Sequence, residues 1–328
     1  MRKPNYLSYS ALSLFESDLD EYCLRYLVDE RPPRETQGVP AGVGSAFDAR
    51  VKSTLYDYSY GKGYKPELYS YEVLFEKQVE PPNRDVCGPA GDHVFACYKL
   101  SGFLDRIKAL AAKVIEPPQY EFSVEKNIGG VQLLGKPDGL LRLPDVNVVL
   151  DWKVNGYCSN TTVSPNQGYI LCRDGYIALK QSKSHDTAHK NVTNTIYRGV
   201  TIGGHLEDSS EPWASQLAGY AWCLGEPVGS ENVVFMIHQC VAKPIPETRP
   251  LLRFAEFCGP VRKPYQEFLL TRYQKCWAAI QNEHIFHDLS LEESRKRFNM
   301  MNAQAKAMVA DGGDSIWVQL VRPTWRGK

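Results

Sequence analysis

The 328-residue chain sets 38 Lys and Arg against 38 Asp and Glu, and 43% of it is hydrophobic. That supplies the core of one large domain, and the zero net charge excludes a chain-wide basic field, so a polyanion would have to meet a local patch. The start MRKPNYLSYSALSLF has no apolar signal core, no stretch approaches the ~20 apolar residues of a membrane span, and the scattered cysteines form no CxxC pair, so a soluble, cytoplasmic protein with reduced thiols is expected.

Ser10 can cap a first helix whose apolar residues Leu12, Phe15, Leu19, Tyr22 and Tyr26 repeat at helical spacing. A second helix is expected from Gly44, in GSAFDARVKSTLYDY, with Phe47, Val51 and Leu55 as its buried stripe. Asp48 lies about 100° round the helix from Phe47, at the stripe's edge. Residues 92–114 read as a third helix, stopped by Pro117 and Pro118. From Gln119 to Val154 the chain alternates, with turn signals NIGG and PDVN, and predicts three consecutive antiparallel strands. Residues 156–212 are polar and aperiodic, with short strand-like pieces GYIAL and IYRGVTI. Trp213 opens a helix, WASQLAGYAWCLG, and NVVFMIHQCVA and PLLRFAEF follow as strands. From Arg262 the chain is mainly helical, with Tyr265, Phe268, Leu269, Tyr273, Trp277 and Ile280 on one face, before a short alternating piece, SIWVQLV.

Chemistry concentrates in GKPDGLLRLPDVNVVLDWKV. Side chains two apart on a strand share a face, so Asp151 and Lys153 project together, opposite Leu150 and Trp152. Pairing across PDVN brings Asp138 beside Asp151. Two such carboxylates repel and raise each other's pKa, a cost that a divalent cation removes. Their hard oxygens suit Mg²⁺ or Mn²⁺, and Lys153 could orient or help deprotonate a water and offset transition-state charge. Alone, Asp-x-Lys on a strand reads first as a solvated pair. Gly135 and Gly139 around Asp138 permit close strand approach, and Gln216 and Tyr220 share a helix face.

The order GSAFD, GKPDG, VVLDWKV, QLAGY resembles the PD-(D/E)XK nuclease superfamily, in its RecB-type and phage-exonuclease-like branch, over roughly residues 6–225. The resemblance implies an α/β, restriction-endonuclease-like core with a central mixed β-sheet flanked by helices. The core is expected over 1–260, with a long insertion at 156–212, and a helical C-terminal region over 261–328. It also implies metal-dependent hydrolysis of DNA phosphodiesters, as an exonuclease in recombination, repair or phage DNA processing, with Mg²⁺ or Mn²⁺ as cofactor. Asp138 matches the metal-binding aspartate, Asp151 the second acidic ligand, Lys153 the catalytic lysine and the Trp152 carbonyl a main-chain ligand. Gln216 and Tyr220 match the helix that supports the site and touches substrate. Asp48 stands where many relatives have histidine and is retained as a metal ligand. Cys223, Cys240, Cys258 and Cys276 are 17 or 18 residues apart, not the tight group of iron–sulfur relatives, so no cluster is expected.

DNA is the expected partner, with a recombination or single-strand-binding protein as a further candidate and oligomerisation left open. Arg173, Lys180, Lys183, Lys190 and Arg198, interleaved with Tyr169, Tyr176 and Tyr197, form a local basic and aromatic stretch in which Lys180 and Lys183 are candidate substrate contacts. The spacing of Cys158, Cys172, His185 and His189 argues against zinc. Glu125 reads as an edge charge and His238 as a satisfied sheet residue. The alternative function is a non-catalytic DNA-binding or assembly module of the same fold.

Overall fold

The computed structural model describes residues 2–27, 36–155, 169–173, 176–179, 195–201, 204–230, 232–242 and 251–283. Ser8, not Ser10, caps the first helix: its hydroxyl accepts the Ala11 N–H, and α1 runs Tyr9–Ser17. Extended backbone at Asp18 (φ −148°) interrupts the expected single helix, which resumes as α2 (Leu19–Tyr22) and a π-helical turn (Cys23–Leu27). The apolar repeat survives the break, since Leu12, Phe15, Leu19 and Tyr22 are all buried.

Helix α3 (Val39–Tyr60) starts ahead of Gly44, because Pro40 fits the first helical turn, where no N–H is needed. Its predicted stripe of Phe47, Val51 and Leu55 is fully buried. Short helices α4 (Pro66–Tyr69) and α5 (Tyr71–Gln78) follow. The third helix expected over 92–114 is two helices, α6 (Arg84–Leu100) and α7 (Phe103–Ala111), with Gly102 at φ +82° making the corner. At the α3–α6 crossing, a Cβ on Gly91 would stand 2.5 Å from Ala46 Cβ, so only glycine allows that approach.

Where three strands were expected there are five: β1 (Gln119–Tyr120), β2 (Val124–Ile128), β3 (Val131–Gly135), β4 (Gly139–Arg142) and β5 (Asn147–Asn155). The two predicted turns are where NIGG and PDVN place them, closing the β2–β3 and β4–β5 hairpins. Next come β6 (Tyr169–Arg173), β7 (Tyr176–Leu179), β8 (Thr195–Thr201), α8 (Leu206–Ser209), α9 (Glu211–Cys223), β9 (Val233–Ala242), β10 (Leu251–Gly259) and α10 (Lys263–Gln281). The main sheet has the order β1-β4-β5-β9-β10-β8-β6-β7, while β2 and β3 form a separate pair. β5–β9 and β10–β8 are parallel and the other pairs antiparallel, giving the expected mixed sheet flanked by helices.

Each face of the sheet has its own core. On one, α1, α9 and α10 cover Val149, Ile237 and Phe257; on the other, α3, α6 and α7 cover Leu150, Trp152 and Phe254. In α10, Leu269, Tyr273 and Ile280 are buried as predicted, but Phe268 is 57% exposed, and Cys276 continues the buried row instead. Among the described residues no helix is long and apolar enough to cross a membrane. SIWVQLV lies outside the described residues.

Candidate active site

The β4–β5 register sets Gly139 opposite Leu150, so Asp138, one residue ahead of β4, comes level with Asp151. The Trp152 N–H donates to Asp138 Oδ2 at 3.0 Å, tying that carboxylate to the strand that carries Asp151. Asp151 is 4% exposed. Its Oδ2 meets Lys153 Nζ at 2.6 Å as an ion pair and has no further hydrogen-bond partner. Lys153 Nζ also donates to Gln216 Oε1 at 2.9 Å, and Gln216 Nε2 donates to the Tyr220 hydroxyl at 2.7 Å. Tyr220 in turn lies so close over Gly135 that a Cβ there would stand 3.2 Å from its ring. Asp138, Asp151, Lys153, Gln216 and Tyr220 are therefore brought together as the sequence suggested.

The Trp152 side chain points into the opposite core, as strand alternation requires, and is anchored by a polar chain. Its indole N–H donates to Tyr98 Oη at 3.1 Å, Tyr98 Oη and His238 Nδ1 are 2.5 Å apart, and His238 Nε2 lies 3.0 Å from Glu256 Oε2. Arg106 closes the chain on the same Glu256 oxygen at 2.5 Å. An ionised carboxylate only accepts, so Nε2 carries the imidazole proton and Nδ1 accepts from Tyr98. His238 is the satisfied sheet residue expected, with burial lowering its pKa despite Glu256.

Two residues in the site escaped the sequence reading. Helix α3 places Asp48 and Lys52 one turn apart. Lys52, only 3% exposed, lies with its Nζ 2.6 Å from Asp48 Oδ2, 3.0 Å from Asp138 Oδ1 and 3.7 Å from Glu121 Oε2. Glu121 adopts a left-handed backbone (φ +46°), and its N–H donates to the Asp138 carbonyl at 3.1 Å. Its carboxylate also accepts from Gln78 Nε2 at 2.8 Å. The spacing Asp48-x-x-x-Lys52 was the available signal for Lys52. Glu121 offered none, because its role depends on that turn.

Electrostatics separate these carboxylates. Burial, reinforced by Asp138, pushes Asp151 up to about 8. Burial likewise lifts Asp48 to about 7 against the pull of Lys52. Asp138 is held below its ordinary value: burial opposes this most strongly, but Lys52, the Trp152 N–H and Lys153 together outweigh it. For Lys52, burial works against the charge, and Asp138, Asp48 and Glu121 overcome it to raise its pKa. Four carboxylates, Asp48, Glu121, Asp138 and Asp151, thus face two ammonium groups, an excess of two negative charges when all are ionised.

The centre opens into a cleft of about 720 Å³ lined by Asp48, Lys52, Glu121, Asp138 and Lys153, with exposed Lys77 and Lys136 also in its wall. Asp151 does not line the cleft but is buried beside it. As arranged, no three His, Cys, Asp or Glu side chains among the described residues converge closely enough to hold a metal ion. The Lys52 ammonium stands among the acids instead. Of the expected ligands, Asp48 and Asp138 Oδ1 both meet the Lys52 ammonium. Asp138 and Asp151, with the Trp152 carbonyl, remain a hard-oxygen set suited to a divalent cation. Glu125 is exposed on β2. Lys180, Lys183, Cys158, His185 and His189 lie outside the described residues.

No family model and no curated protein matches the chain. Among solved structures it is similar to a protein of Eubacterium rectale described as a "putative exonuclease", with 14% identity, a TM-score of 0.39, and 84% of this chain and 81% of that one covered. It is also similar to the protein SSO0001, with 11% identity, a TM-score of 0.23, and coverage of 80% and 84%.

Proposed function

We propose that the protein is a divalent-metal-dependent deoxyribonuclease that hydrolyses phosphodiester bonds, as an exonuclease working on DNA ends in recombination, repair or phage DNA processing. The observation that carries the reading is the pairing of Asp138 with the buried Asp151 across two strands, with Lys153 held beside them by Gln216. The order of sequence motifs supports the same reading.

Asp138 and Asp151, with the Trp152 carbonyl, would hold Mg²⁺ or Mn²⁺. When bound, the ion would polarise the scissile phosphate and lower the pKa of a water. Lys153 orients the attacking water and offsets charge on the pentacoordinate phosphorus, and Gln216 keeps its ammonium aimed there. Asp138 stays ionised through its Trp152 and Lys52 contacts, so one ligand is ready before the metal arrives. Lys77 and Lys136, with Lys180 and Lys183, are the candidate phosphate contacts.

Linear, circular and single-stranded DNA, each incubated with Mg²⁺, with Mn²⁺ and with chelator, test this. Cation-dependent loss of linear DNA that Asp151→Asn abolishes is the expected result. One observation favours a second reading, a DNA-binding module without turnover: Lys52 already places a cation among the acids. It predicts salt-sensitive DNA binding with no cleavage under any divalent ion.

A further inference from the structure

We propose that Lys52 is a tethered cation filling one of the centre's cation positions, between Asp48 and Asp138, so that the centre takes up one divalent ion and no second. This rests on the reading that the acids bind a divalent ion.

Three observations converge on it. First, every contact recorded for the Lys52 ammonium is to a carboxylate, at 2.6 Å to Asp48, 3.0 Å to Asp138 and 3.7 Å to Glu121. An ion shared by Asp48 and Asp138 needs oxygens at about 2.0–2.2 Å, in the space the ammonium fills. Second, Asp48 sits one turn before Lys52 on α3, so the ammonium is held by its own helix as well as by the sheet. Asp138 divides its oxygens between two half-sites, Oδ1 to Lys52 and Oδ2 to the Trp152 N–H beside Asp151. Third, the charges close: an excess of two negative charges is neutralised by one divalent ion, whereas two would reverse it. The open ligand is the buried Asp151, whose Oδ2 pairs with Lys153 and has no hydrogen-bond donor besides it among the described residues.

The test counts Mn²⁺ bound per full-length chain, by electron paramagnetic resonance of the free ion, for the native protein, Lys52→Met and Lys52→Arg. The expected counts are one, two and one, with circular dichroism showing that each variant is folded. Equal counts for native protein and Lys52→Met overturn the proposal, and so does a native count of two, which needs no variant to fold. A native count of zero also overturns the one-ion centre, and a rise to one in Lys52→Met would then mean that Lys52 excludes metal from the native chain altogether, which contradicts the proposed metal-dependent nuclease as well. One bound ion without DNA cleavage supports the Lys52 assignment and contradicts only the proposed function.

Discussion

Two polar regions, each reaching from the buried sheet toward the surface, differ in balance. The chain from Trp152 through Tyr98, His238 and Glu256 to Arg106 pairs one carboxylate directly with one guanidinium, beside a neutral imidazole. The cluster of Asp48, Lys52, Glu121, Asp138, Asp151 and Lys153 holds twice as many acids as ammonium groups. Folding alone favours the first arrangement, in which almost every buried group has a partner. The second is costly unless something outside the chain completes it, because burying unpaired charge is unfavourable. An excess of acids over bases that needs protons or an outside cation to balance it, more than polarity or burial alone, distinguishes a site from a structural network.

The sharpest way to break this contrast is to remove the acids or Lys153. Asp138→Asn, Asp151→Asn and Lys153→Ala should each slow DNA cleavage by about 100-fold or more while circular dichroism stays native, since each would delete a group that the proposed function assigns to the reacting phosphate. Unchanged rates on linear DNA would merge the two regions into one structural class.

Next in size is Lys52→Met. It leaves Asp48, Asp138 and Glu121 without their shared cation, and a broken buried ion pair costs about 3–5 kcal/mol. Denaturant unfolding in chelator should show this loss, and Mn²⁺ should recover part of it.

Tyr98→Phe should cost less, about 1–3 kcal/mol, by leaving the Trp152 indole N–H and His238 Nδ1 without partners. The same variant should bind divalent ions as the native protein does. A change in ion count would mean that the two regions are one network.

The smallest effect is the acid response of the balanced region. Burial holds His238 below its ordinary value, so as pH falls below about 6.5 the unfolded chain takes up a proton that the folded protein refuses, and stability declines. Glu256, kept below its ordinary value by His238 and Arg106 against the opposing pull of burial, adds a further loss as pH falls from about 4.5 through its folded value. In the Asp48→Asn/Asp151→Asn protein, which lacks the two raised carboxyl groups that would stabilise the fold as pH falls, melting temperatures in chelator from pH 7 down to pH 4 should therefore fall in this order.

The site was legible where a periodicity fixes a direction. Asp151 and Lys153 share a strand face, Gln216 and Tyr220 share a helix face, and the PDVN turn sets Asp138 level with Asp151. Lys52 was not legible in the same way, because lysine beside a buried stripe is expected to reach solvent. Its partners come from α3, the residue after β1 and the residue before β4, a convergence that only the fold supplies. The strand count was missed because short strands in one alternating stretch have breaks at Glu121 and Pro137 that the pattern does not register. The helix break at Gly102 was likewise a backbone corner within a stretch that reads as one helix.

The most direct measurement is calorimetric titration of Mn²⁺ into the native protein and Asp151→Asn at pH 7, repeated in buffers of different ionisation enthalpy. With Asp151 raised to about 8, the native protein should bind the ion with release of a proton, and Asp151→Asn should lose that release together with most of the affinity. Absence of binding, or binding identical in the two proteins, would contradict the assignment of the acid cluster as a metal centre.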